Sequence, residues 1–158
     1  MPVRAPGRVR RSGPIDYATL ADLRYQIRRF LRSRELTARA AGIEPQQYLL
    51  LLQVKGLEGR ASPTIGALAE RLQVSHHGVV QLVDRLVDRG LAERRRGADR
   101  REVVVCLRPP AKTVLRKLAA YSVAELTREG PGLVASLRRL IQQSTRIPTS
   151  SGNGRGKA

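Results

Sequence analysis

Leu68–Leu91 reads LAERLQVSHHGVVQLVDRLVDRGL, and its spacing decides the fold. Two helices joined by a tight turn must pack through a small shared set of apolar side chains. Leu68, Ala69, Leu72, Val74, Val79 and Leu82 supply that set at helix-turn-helix spacing, with Ala69 small where the second helix crosses. Ser75 suits the N-cap of the second helix and Gly90 its end. Gln73 occupies the turn position usually given to glycine, a mild cost. In the second helix Val79, Leu82, Val83 and Leu86 share one face, and His77, Gln81, Asp84 and Asp88 lie opposite. His77 and Gln81 fall in the N-terminal half, which meets base edges in such motifs, and both donate and accept hydrogen bonds. Ser75 and His76 at the helix start are placed to reach a phosphate. Asp84 and Asp88 would repel one, so the helix should enter a groove by its N-terminal end. The plain alternative is a core helix with a solvated polar face.

The following residues weigh against that alternative. ERRRGADRREVVV, residues 93–105, places Arg94, Arg95, Arg96, Arg100 and Arg101 around a turn between two strand-like runs. Val103, Val105 and Leu107 alternate with Glu102, Val104 and Cys106 at strand period. A hairpin tipped with guanidinium groups suits a narrow, electronegative minor groove. Asp99 is expected to fix the direction of the Arg101 side chain by a charge-assisted bond. A solvated charge run is the competing reading, but hairpin and recognition helix recur together as one reading unit.

Outward from this centre the pattern is mainly helical. Leu20, Leu23, Ile27, Phe30 and Leu31 recur at helical spacing and predict a first helix over Asp16–Ala40, ended by Gly42. Pro45 opens a second helix carrying Tyr48 to Leu57, and Thr64 caps a short third over IGALAERL. After the hairpin two further helices are expected. One bears Val114, Leu118 and Tyr121; the other follows Gly130-Pro131-Gly132 and bears Leu133, Leu137, Leu140 and Ile141. Residues 1–14 are expected to form a flexible basic arm and 144–158 a disordered tail, flanking one domain over 15–143.

Composition agrees with a nucleic-acid partner. The 158 residues carry 30 Lys+Arg against 13 Asp+Glu, a formal charge of +17, which favours polyanions. Aromatics are 3%, so the core must be filled by Leu, Val, Ile and Ala. Apolar stretches such as Tyr48–Leu52 are far too short to span a bilayer, and no apolar signal-peptide core follows the N-terminal arginines. A soluble cytoplasmic protein with no membrane partner is expected. The single cysteine, Cys106, excludes an internal disulfide framework and sits in a hydrophobic strand. His76, His77 and Cys106 lack metal-ligand spacing, and no nucleophile–base pair, phosphate-cradling loop or carboxylate pair stands out. Neither a metal, a cofactor nor an enzymatic activity is expected. Arg24, Arg28, Arg29 and Arg32 form a basic stripe on the first helix, expected to be solvated or paired with acids.

Three stretches resemble the MarR (multiple antibiotic resistance regulator) family of winged helix-turn-helix transcription factors. They are IEPQQYLLLL (43–52), IGALAERLQVSHHGVVQLVDRLVDRGLAERR (65–95) and DRREVVVCLRPPA (99–111). Asp99, Arg101, Val105 and Leu107 match the family's wing, whereas Arg108 and Ala111 replace its Thr and Gly at the start of the next helix. The resemblance implies a mainly α fold with a small β-hairpin wing. Dimerisation helices would lie over about 16–40 and 111–143, and the DNA-binding part over about 45–107. It implies a homodimer on a pseudo-palindromic double-stranded operator, more often a repressor, released by a small-molecule effector. Thr64, Ser75, His76, His77, Gln81, Arg94, Arg95, Arg96, Asp99, Arg100 and Arg101 are the expected DNA-binding residues, and Tyr25, Phe30 and Tyr48 the expected effector pocket. Base preference does not transfer, because Gly78 and Gln81 depart from the residues usual in the family. A non-specific architectural nucleic-acid binder and a binder of structured RNA are the rival readings.

Overall fold

Capping and periodicity divide the chain much as the sequence suggests. The computed structural model describes residues 14–145; the expected arm and tail fall almost wholly outside them. The order is α1 (Tyr17–Ala40), α2 (Pro45–Leu57), α3 (Ile65–Leu72), α4 (His76–Asp88), β1 (Ala92–Arg96), β2 (Val103–Leu107) and α5 (Pro109–Thr145). Gly42 and Gly90 follow α1 and α4 with φ of +75° and +67°, the left-handed region that a Cβ disfavours. No helix among the described residues is long and apolar enough to cross a membrane.

One difference from expectation is the last helix. The two helices expected around Gly130-Pro131-Gly132 are a single α5 of 37 residues with Pro131 inside it. A proline there removes one backbone donor and costs about 3 kcal/mol. Side-chain bonds tie the helix to α1 on both sides of it. Arg29 donates to Glu129 at 2.9 Å and Gln26 to the Ser136 hydroxyl at 3.1 Å.

The described residues form two units, one of residues 30–127 and one drawing on 14–29 and 128–145. In the second, the pairs Asp16–Gln143, Gln26–Ser136 and Arg29–Glu129 run in opposite chain directions, so the two helix segments are antiparallel. Asp16 caps α1 by accepting from the Thr19 N–H at 2.9 Å and the Thr19 hydroxyl at 2.6 Å. These bonds, then the Gln143 amide and the Arg139 charge, lower its pKa from 3.8 to about 2.

The unit of residues 30–127 is a winged helix. Leu50, Leu51 and Val54 of α2, Leu68 of α3, Val79, Val83 and Leu86 of α4, and Val105 of β2 are its most deeply buried side chains. Ala38 of α1 and Ala111, Leu115 and Leu118 of α5 join the same core. The winged unit therefore includes parts of both helices that the sequence had assigned wholly to dimerisation. Strands β1 and β2 pair antiparallel from Ala92↔Leu107 to Arg96↔Val103. Thr64 forms a bridge to Val104, and Val105 donates to the Pro63 carbonyl at 3.0 Å, anchoring the wing to the start of α3.

Two stability tests follow from these local geometries. Gln73 is the one non-glycine with positive φ (56°) among the described residues, held by its own amide donating to the Glu70 carbonyl at 2.6 Å. Left-handed backbone costs a side-chain-bearing residue about 1–2 kcal/mol. Urea unfolding should find Gln73→Gly neutral or up to about 1 kcal/mol more stable, and Gln73→Val clearly less stable. Asp16 has a depressed pKa in the fold, so its contribution is present above its ordinary 3.8 and is lost as pH falls towards about 2. Amide exchange at Thr19 should accelerate over that window in the native protein and show no such step in Asp16→Asn.

Candidate nucleic-acid interface

The turn between α3 and α4 fixes where the polar face of α4 stands. Thr64 caps α3 by accepting from Ala67 at 3.2 Å, and Ser75 caps α4 by accepting from Gly78 at 3.0 Å. A Cβ at Gly78 would lie 3.2 Å from the Ser75 hydroxyl oxygen, so the small residue keeps the cap uncrowded. With Val79, Val83 and Leu86 fully buried, the opposite residues turn outward. Ser75, His76, His77, Gln81, Asp84 and Asp88 are all exposed. Gln81 and His77, one helical turn apart, are joined by a side-chain hydrogen bond of 3.1 Å.

This face adjoins the wing. Arg94 of β1 donates to the Asp84 carboxylate at 2.6 Å, bringing a strand guanidinium onto the polar side of α4. The sequence reading treated Asp84 as a bare charge that repels phosphate; the pair with Arg94 lowers that repulsion. Arg95 is paired with Glu93 of its own strand. Arg96, Arg100 and Arg101 are exposed and have no ion pair among the described residues. Asp99 does not hold the Arg101 side chain as expected. Its carboxylate accepts the Arg101 backbone N–H at 3.0 Å, because a short acceptor in a tight turn reaches the chain two residues on more readily than a long side chain. Asp99 therefore shapes the loop and leaves the Arg101 guanidinium outside that bond. Thr64 has its hydroxyl committed to the cap of α3.

Residues unremarked in the sequence brace this surface. Arg89, just past α4, donates to Gln47 of α2 and to the Gly42 carbonyl, each at 2.7 Å. Arg71 of α3 donates to Gln53 of α2 at 2.5 Å. Partners so far apart in sequence leave no local signal.

A second feature lies within residues 30–127. A cavity of about 360 Å³ is lined by Phe30, Leu31, Arg34, Tyr48, Leu49 and Leu126 among others. Phe30 and Tyr48 of the expected pocket are there; Tyr25 is exposed and lies outside the lining. Ser122 donates to the Leu118 carbonyl, so the Tyr48 hydroxyl donates to Ser122 at 3.3 Å. Arg34, buried and paired with Glu125, has its guanidinium 5.2 Å from the Phe30 ring centre and 4.9 Å from that of Tyr121. Its Nε and Nη1 have no hydrogen-bond partner among the described residues. No group of three metal-ligating side chains occurs among the described residues.

Residues 41–102, spanning α2 to the wing loop, match the model of the MarR family. Over this segment the chain is similar to the MarR family. The fold is also that of solved MarR-family structures. The match to AbsC of Streptomyces coelicolor, a MarR family transcriptional regulator, has a TM-score of 0.66 at 20% identity over 85% of this chain and 92% of the other. MarR of E. coli gives 0.60 at 22% identity over 84% and 100%. BpsR of Bordetella bronchiseptica, whose DNA binding is regulated by 6-hydroxynicotinic acid, gives 0.57 at 17% identity over 86% and 100%. No curated protein sequence matches the chain. The match over residues 41–102 and the winged-helix fold support DNA-binding transcriptional regulation.

The buried pair beside the cavity makes a stability test. Removing one partner of a buried ion pair strands a charge and costs about 3–5 kcal/mol, whereas replacing both by apolar groups is often close to neutral. Glu125→Ala should therefore destabilise the protein strongly in urea unfolding, and Arg34→Met with Glu125→Leu should regain most of the loss.

Proposed function

We propose that this protein is a homodimeric repressor of the MarR family that binds a pseudo-palindromic double-stranded operator and is relieved by a small-molecule effector. The observation that carries the reading is the exposed face of α4, with His77 and Gln81 beside a wing whose Arg94 reaches Asp84 of that face. In this reading His77 and Gln81 meet base edges in the major groove. Ser75 and His76 hold phosphate at the helix start. Arg96, Arg100 and Arg101 reach the adjacent minor groove or backbone. Thr64, Arg94, Arg95 and Asp99 support the interface by shaping the helix start and the wing.

Dimerisation has its own support. Ile15, Tyr17, Leu20 and Ile27 near the start of the chain and Val134, Leu137 and Ile141 of α5 are large apolar residues left exposed. An exposed apolar surface of this kind marks an interaction site, and a second copy offers the matching surface. The effector would occupy the cavity lined by Phe30 and Tyr48. Its apolar walls and the unpartnered Arg34 nitrogens favour a small, mostly apolar molecule with an anionic or accepting group. BpsR, regulated by such a compound, is the relevant parallel.

The net charge of +17 favours one rival, a non-specific architectural nucleic-acid binder. Footprinting on the protein's own upstream region separates the two. A protected palindrome of about two helical turns supports the operator reading, and uniform coverage supports the rival. Replacing Arg101 by Ala should weaken operator binding by about 1–3 kcal/mol and leave the fold unchanged. Equal affinity in a gel-shift titration would remove the wing from the interface.

A further inference from the structure

We propose that His77 is a positioning residue that presets the Gln81 amide to read an adenine, the two side chains acting as one unit. The proposal rests on the DNA-binding reading above and adds the base and the way it is chosen. In the pair, the Gln81 amide nitrogen lies 3.1 Å from His77 Nε2. An amide nitrogen donates and cannot accept, so His77 Nε2 must carry the lone pair and the ring proton must sit on Nδ1.

The amide has two N–H groups and one oxygen. In the proposed unit His77 takes the N–H anti to Oε1. Oε1 and the second N–H therefore remain together as an acceptor and a donor side by side. In the major groove, adenine presents the complementary pair, an N6 donor beside an N7 acceptor. Guanine presents two acceptors, so its O6 would face Oε1 with no proton between them. Thymine offers O4 and a methyl group, and cytosine a lone donor; each satisfies half of the amide. A free glutamine can rotate to suit guanine's acceptors. One tethered to His77 must first give up a hydrogen bond.

Both residues are exposed on α4 one turn apart, outside the apolar core, so their replacement is separable from folding. Selection from a pool of random duplexes with the full chain tests the idea, comparing wild type with Gln81→Ala, His77→Ala and His77→Asn. The wild type should select adenine at one position in each half-site, by about tenfold or more over guanine. Gln81→Ala should abolish that preference. His77→Ala should cut the adenine-to-guanine ratio at the same position by roughly three- to tenfold, more than it changes the preference at any other position. His77→Asn, which restores an acceptor, should recover part of the ratio. A base other than adenine at the position that Gln81→Ala relaxes would overturn the proposal. So would a His77→Ala variant that keeps the wild-type ratio, or one that lowers preference equally at every position. Failure of the wild type to select any duplex would overturn the DNA-binding reading itself, an outcome distinct from these.

Discussion

Three residues, Gln73, Val74 and Ser75, join α3 to α4, and the geometry of the interface follows from how they do so. The chain can reverse in so short a space only if one residue takes left-handed backbone, and Gln73 does. Ser75 then closes the first turn of α4, and Leu68, Val79 and Val83 lock the two helices through a fully buried contact. Once the apolar face is committed, the helical repeat leaves His77 and Gln81 no direction but outward. The same packing carries β1 past the polar face, which is why Arg94 meets Asp84.

The charge of the chain is less uniform in effect than its total suggests. Several arginines have structural partners: Arg29 with Glu129, Arg34 with Glu125, Arg94 with Asp84, Arg95 with Glu93. Exposed pairs of this kind contribute little to stability, about 0–1 kcal/mol each, but they decide where unbalanced positive charge remains. At the wing that is Arg96, Arg100 and Arg101. The buried Arg34–Glu125 pair is different in kind, because both ions are desolvated and the guanidinium lies against the Phe30 and Tyr121 rings beside a cavity.

Much of the fold was legible in local sequence because its signals are local. Thr64 and Ser75 are good caps, Gly42 and Gly90 are good stops, and the alternation of Val105 and Leu107 has the period of a strand. What escaped depends on residues far apart in the chain. The continuity of α5 through Pro131 is supported by Gln26 and Arg29 of α1, over a hundred residues away. The role of Arg34 depends on Glu125, and that of Arg89 on Gln47 and Gly42; none of these pairs has a sequence period. Asp99 was read as a side-chain partner for Arg101 because charge complementarity is visible in a sequence and turn geometry is not.

If α4 and the wing form one DNA-facing surface, the backbone should report both together. Amide shifts followed by NMR as an operator duplex is added test this most directly. Shifts concentrated at Ser75–Gln81 and at Arg96–Arg101, saturating at the same ratio of duplex to protein, are the result this account predicts. Shifts confined to one of these segments, or spread over exposed arginines throughout the chain with both segments unmoved, would contradict it.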